Sequence, residues 1–231
     1  MKALYFDIET APLPDELITW PKFYPAKHLV DAEKKKESVE QKRRAFIDGA
    51  CLLPQASYVC AVGAKYDDSP QVHIRHQSDW RNEKILIEWI LGIIETACHM
   101  GRAIVGFNIV GFDLKYLYQK ALKHNVQKPA IMMMQGKYGM SDKRIVDLRD
   151  ILSCGEGKYA KGKLEEYCEY FGFPVKTFSG KYFHEVLVED HIKAMDYLKW
   201  DVATLQMIWN RHDTWLTPPT KGSPAPFLLK V

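Results

Sequence analysis

Residues 3–10 read ALYFDIET. Ala3, Leu4, Tyr5 and Phe6 have the apolar and aromatic character of a buried strand. Asp7 and Glu9 follow in the same run, separated by Ile8. Side chains alternate along a strand, so both acids leave one face, their roots about 7 Å apart. Neighbouring carboxylates repel, and burying them unpaired is costly. A hard divalent cation, which takes oxygen ligands, would remove that cost.

The chain has 231 residues, is 47% hydrophobic and carries a net charge of +3. These totals suit one α/β domain spanning residues 1–231 with a large core. No apolar run approaches the ~20 residues of a membrane helix, and acids come too soon after Met1 for a signal peptide. The five cysteines (Cys51, Cys60, Cys98, Cys154 and Cys168) are odd in number and form no CxxC pair. A disulfide framework or zinc ribbon is not expected, and reduced thiols in a cytoplasmic protein are. Charge is uneven. Residues 115–163 hold eleven Lys or Arg against four Asp or Glu, with Tyr116, Tyr118, Tyr138 and Tyr159 among them. Cations mixed with aromatics suit nucleic acid, though a solvated surface has the same composition.

Strands are expected at about Lys2–Ile8, in SYVCAVGAKY (57–66), QVHIRH (71–76) and RAIVGFN (102–108), and around Ile145–Asp147. Helical patterns cover 29–48, 83–98, 111–125, 161–173 and 188–212, the fourth stopping at Gly172 and Pro174. The prolines within 11–27 predict a loop, 29–48 a polar helical insertion, and 213–231 a Pro-rich tail. Three strands followed by βα units imply an antiparallel meander continued by parallel pairing. The expected fold is α/β: a mixed five-stranded sheet with helices on both sides.

Partners for Asp7 and Glu9 are sought at the ends of neighbouring elements. In VGFNIVGFD, a strand ends near Asn108 and a helix begins near Gly111, placing Asp113 in its first turn. An acid there favours the helix dipole, and strand ends are also where α/β sites gather. In HIKAMDYLKWDVATL two registers compete. At 100° per residue, Met195, Leu198, Val202, Leu205 and Trp209 form a stripe about 80° wide that must face the core. Tyr197 and Asp201 lie at its edge, one turn apart, whereas Asp196 points away.

These residues resemble the DEDD superfamily of 3′–5′ exonucleases, which share an RNase H-like fold. FDIET is similar to the first motif, and NIVGFD, with Asn108, Phe112 and Asp113, to the second. YLKWD resembles the third in its Tyr-x-x-x-Asp form, which marks the DEDDy branch containing polymerase proofreading domains. IVDLRDIL, KLEEYCEYFGFP and SGKYF resemble stand-alone exonucleases similar to the family-B proofreading domain. The resemblance runs from about residue 2 to residue 210. The other branch uses His-x-Ala-x-x-Asp; His191, Ala194 and Asp196 miss that spacing by one. The insertion at 29–48 has no counterpart in the family's minimal core.

The resemblance implies two cations, Mg²⁺ or Mn²⁺. Asp7, Glu9 and Asp201 would ligate the first; Asp7 would bridge to the second, with Asp113. Tyr197 would aim a metal-bound water at phosphorus, as an orienter rather than a base. Thr10, Asn108 and Phe112 are expected at the substrate, and Asp147 at a strand end or supporting the site. The expected partner is the 3′ end of single-stranded DNA, met by Lys137, Tyr138, Lys143, Arg144, Lys158, Lys161 and Lys163. An RNA-trimming exonuclease, a non-catalytic nucleic-acid-binding module and a polymerase-attached proofreader are the alternatives. A Met1 start and this length favour a stand-alone protein over the last.

Overall fold

The computed structural model describes residues 1–18, 21–132, 142–156, 160–175 and 180–216, with side chains to 212. Five strands form one mixed sheet in the order β3-β2-β1-β4-β5. They are β1 (Ala3–Pro12), β2 (Ser57–Tyr66), β3 (His73–His76), β4 (Ala103–Gly106) and β5 (Ile145–Asp147). β1–β2 and β2–β3 pair antiparallel, and β1–β4 and β4–β5 parallel.

Alternation along β1 divides the interior in two. Leu4, Phe6 and Ile8 face a core closed by α2 (Glu83–His99) and α3 (Asp113–His124). Ala3, Tyr5 and Ala11 face a second core closed by α6 (Phe183–Glu189) and α7 (His191–Leu216), with α4 (Leu148–Leu152) and α5 (Leu164–Phe171) beside it. In α2, Leu86, Ile87, Ile90, Leu91 and Ile94 are buried at helical spacing. Asn125 ends α3 and Gly172 ends α5, each in the left-handed conformation common at helix C-termini. The insertion is α1 (Ala32–Asp48), which buries no residue fully; Phe46 packs edge-on to Phe23.

Several boundaries differ from the sequence reading. β1 continues through both acids to Pro12, because β2 pairs with it as far as Ser57. The fourth strand stops at Gly106, since Asn108 turns left-handed with φ 58°. Residues 188–212 are not one helix. Asp190 breaks the run, and its carboxylate accepts the Lys193 amide at 3.1 Å, starting α7 afresh. α7 then runs to Leu216, past the expected start of the tail; residues 217–231 lie outside the described residues.

The β1–β2 register slips after Glu9, which pairs with Ala61, while Thr10 pairs with Val59. Cys60 is the extra residue of a β-bulge, and Cys60 and Ala61 both pack into the second core. The Val59 amide donates to Glu83 Oε1 at 2.9 Å. Glu83 is fully buried. Lys120 Nζ stands 2.8 Å from it, and His124 Nε2 2.7 Å. Burial raises the Glu83 pKa, but Lys120 and these hydrogen bonds outweigh it and hold the carboxyl low. Lys120 also donates to the Ser57 carbonyl. One acid thus ties the bulge to α2 and α3. Glu83→Ala would strand the Lys120 cation in the core and should destabilise the protein by about 3–5 kcal/mol in denaturant unfolding. A loss under about 1 kcal/mol would mean that the cluster is a replaceable contact.

Candidate active site

Asp7 and Glu9 leave the face of β1 turned towards α7. Asp201 projects from α7, and one carboxylate oxygen from each of the three lies within 4.8 Å of the others. The chain brings them together by removing side chains beneath the helix. Gly63 is the register partner of Asp7. A Cβ on Gly63 would stand 2.9 Å from Val202 Cγ2 and 3.0 Å from Leu198 Cγ, so α7 rests on bare backbone there. Across from Glu9, the bulge presents two small side chains, Cys60 and Ala61.

Tyr197 is buried one turn before Asp201, its ring 5.7 Å from Phe183. A Cβ on Gly180 would lie 2.6 Å from the Tyr197 hydroxyl and 4.0 Å from Glu9 Oε1. The hydroxyl and the Glu9 carboxylate therefore border one point, which glycine leaves open. Burial first, then the charges of Asp201, Glu9 and Asp7, push the hydroxyl well above its ordinary pKa. It stays protonated at any physiological pH.

Asp113 opens α3. Its Oδ1 accepts the amide of Ile8, between the two acids of β1, at 3.2 Å. Burial, aided by the charges of Asp147 and Asp201, pushes its carboxyl up to about 8. The loop before it is held by Asp147, whose two oxygens accept the amides of Asn108 at 2.8 Å and Val110 at 3.1 Å. Arg149 donates to Asn108 Oδ1 at 3.2 Å and to the Ala160 carbonyl. Asp147 thus acts on the loop that delivers Asp113.

Thr10 and Phe112 have contacts of their own. The Thr10 hydroxyl donates to the Cys51 carbonyl at 2.7 Å. Phe112 packs 5.5 Å from Tyr116 at the margin of the first core. Asp196 is exposed and pairs with Lys199 at 2.7 Å, and His191 stacks on His76. Within the basic stretch, Lys120 is buried, and Arg144 is bound to Asp142 and the Cys98 carbonyl. Lys143, Lys161 and Lys163 are exposed; Lys137, Tyr138 and Lys158 lie outside the described residues. Sequence reasoning missed Gly63 and Gly180. SGKYF, which contains Gly180, was a usable signal; nothing local marks Gly63.

The donor set is all carboxylate oxygen, with neither sulfur nor imidazole. That chemistry fits hard divalent cations such as Mg²⁺ or Mn²⁺. Asp7, Glu9 and Asp201 could hold one, with Asp113 adjoining them. The sheet order, the helices on both faces and this acid cluster define an α/β protein of the RNase H-like exonuclease fold. The chain belongs to a family described as predicted 3′–5′ exonucleases related to the exonuclease domain of PolB, whose model matches residues 53–217. Asp113, Tyr197 and Asp201 fall inside the match, and β1 with Asp7 and Glu9 precedes it. No curated protein matches the chain. Among the described residues, no helix is long and apolar enough to cross a membrane.

Gly63→Ala should lift α7 from the sheet, cost about 1–3 kcal/mol by overpacking, and weaken divalent-cation binding measured by calorimetry. Unchanged cation affinity would show that the helix shifts without carrying Asp201 away. A second expectation follows from Asp113. Its folded pKa stands above the unfolded value near 4, so the native state holds a proton the unfolded chain releases, and this group's contribution to stability falls as pH rises from about 4 to about 8. Asp113→Asn keeps an oxygen for the Ile8 amide but cannot ionise. In chelator it should melt above the parent, by a margin that widens with pH across that range; a constant margin would contradict a neutral, buried Asp113.

Proposed function

We propose that this protein is a metal-dependent 3′–5′ exonuclease that removes nucleoside 5′-monophosphates from the 3′ ends of single-stranded DNA. The observation that carries the reading is the convergence of Asp7, Glu9 and Asp201 within 4.8 Å, with the Tyr197 hydroxyl at the point bordered by Glu9. Family membership supports the reaction and its polarity.

Two divalent cations held by Asp7, Glu9, Asp113 and Asp201 would supply an activated water and neutralise charge on the phosphate. The residues supply position. Tyr197, kept protonated, accepts a hydrogen bond from the attacking water and fixes its direction. Its environment makes it an orienter and not a base. The carboxylates are prearranged by β1, α3 and α7, so they need not reorganise during reaction. Asn108, held by Asp147 and Arg149, would contact the terminal nucleotides. Hydrolysis breaks the P–O3′ bond. The water oxygen stays on the released monophosphate; one of its protons ends on the new 3′-hydroxyl and the other on the monophosphate, which releases it to solvent as its second ionisation allows. The choice of DNA over RNA rests on the likeness to proofreading domains.

The test is a degradation ladder on 5′-labelled single-stranded DNA and matched RNA, with Mg²⁺, Mn²⁺ or chelator. The expected result is metal-dependent shortening from the 3′ end, faster on DNA. Asp7→Ala and Asp201→Ala should abolish it, Tyr197→Phe should lose about 10²-fold or more in rate, and Asp196→Ala should behave as the parent. Faster loss of RNA would make the enzyme an exoribonuclease. No ladder on either polymer, with binding intact, would make it a binding module.

A further inference from the structure

A row of aromatic rings runs from the end of β4 along α5. Phe107 follows β4 directly and precedes Asn108. Tyr167 meets it edge-on at 6.0 Å, and Phe171 stacks one turn further on at 6.4 Å and 24°. Tyr170 and Phe173 flank Phe171 at 5.4 and 6.0 Å. Core packing accounts for part of this row only. Phe107 and Phe173 line the second core, whereas Tyr167, Tyr170 and Phe171 stand outside it, and Tyr170 is 83% exposed.

The row is joined to the loop that carries Asn108 and leads to Asp113. Arg149 bridges Asn108 and the Ala160 carbonyl, and the Tyr167 hydroxyl donates to the Lys161 carbonyl at 3.1 Å. Lys161 and Lys163 are exposed at the near end. At the far end, Arg211 of α7 lies 5.5 Å from the Phe171 ring centre and 4.4 Å from that of Phe173. α5 also carries Glu165, Glu166 and Glu169. At 100° per residue, the three outer rings cover an arc about 100° wide, and the acids centre about 150° away. The aromatic face is bordered by Arg211 at Phe171 and by Glu166 one turn before Tyr170, while Glu165 and Glu169 lie on the far side of the helix.

We propose that this row binds the nucleotides preceding the 3′-terminal one. Bases stack on Tyr167, Tyr170 and Phe171, and phosphates meet Lys161, Lys163 and Arg211. Rings interleaved with cations and continuous with a phosphodiester site are what a flexible single strand requires, and stacking accepts any base. The inference deepens the exonuclease reading and rests on it for the direction of the strand.

The test is fluorescence anisotropy in chelator, where no cleavage occurs. The probes are a labelled oligothymidylate long enough to span the row and a thymidine dinucleotide confined to the site. Tyr170→Ala is exposed and should fold as the parent, checked by melting. It should bind the long strand about tenfold more weakly, the order expected for one stacked base. Tyr170→Phe should restore that affinity. Phe171→Leu, which keeps bulk but loses the ring, should weaken it too. Dinucleotide affinity should stay with the parent throughout. Equal affinity of Tyr170→Ala and the parent for the long strand would overturn the proposal, as would an equal loss on both probes. The two readings separate cleanly. A parent that binds long strands through Tyr170 yet makes no ladder defeats the nuclease and leaves the row standing, whereas a ladder with Tyr170-independent binding does the reverse.

Discussion

The contact between α7 and the backbone of Gly63 is the constraint on which the site depends. Carboxylates on a strand and a helix meet only if the helix lies closer to the sheet than ordinary side chains allow. A glycine opposite Asp7 and two small residues opposite Glu9 permit that approach. Interiors are packed too tightly for helix and strand to drift. The separation of Asp201 from Asp7 and Glu9 is therefore fixed by how Val202 and Leu198 sit on β2.

Two polar anchors hold the elements that converge there. Glu83 secures the bulge beneath Glu9 to α2 and α3. Asp147 secures the loop between β4 and α3 through two amides. Both use an acid to satisfy backbone donors that a regular strand or helix leaves unpaired. Buried amides need such partners. In each case the irregular backbone adjoins an acid of the site, Glu9 across the strand pair and Asp113 along the chain.

Much of this was legible in the sequence. Period-two alternation put Asp7 and Glu9 on one face, and helical angle placed Asp201 inward and Asp196 outward, where it meets Lys199. The mixed pairing of the five-stranded sheet follows from a meander and βα connections. What escaped had no local signature. Gly63 looks like any strand glycine until α7 is placed on it. The slip at Cys60 depends on Glu83, far along the chain, accepting the Val59 amide. Asp190 lies in a run whose helical pattern continues on both sides, so a cap reads as an ordinary helix residue. The basic stretch misled in part, because composition cannot tell that Lys120 is buried against Glu83.

The chain order of the acids carries a consequence for biosynthesis. Asp7 and Glu9 leave the ribosome before Asp113, and Asp113 before Asp201. Until α7 docks, a growing chain exposes pieces of the cluster and cannot assemble the cation site. Completion of the acid cluster and the closing of the second core thus arrive in one event, because the helix that buries Leu198 and Val202 also delivers Asp201. Cation binding should then report complete folding, since partly folded chains hold only fragments of the donor set. Built in this way, the acid cluster stays incomplete while the chain is being made.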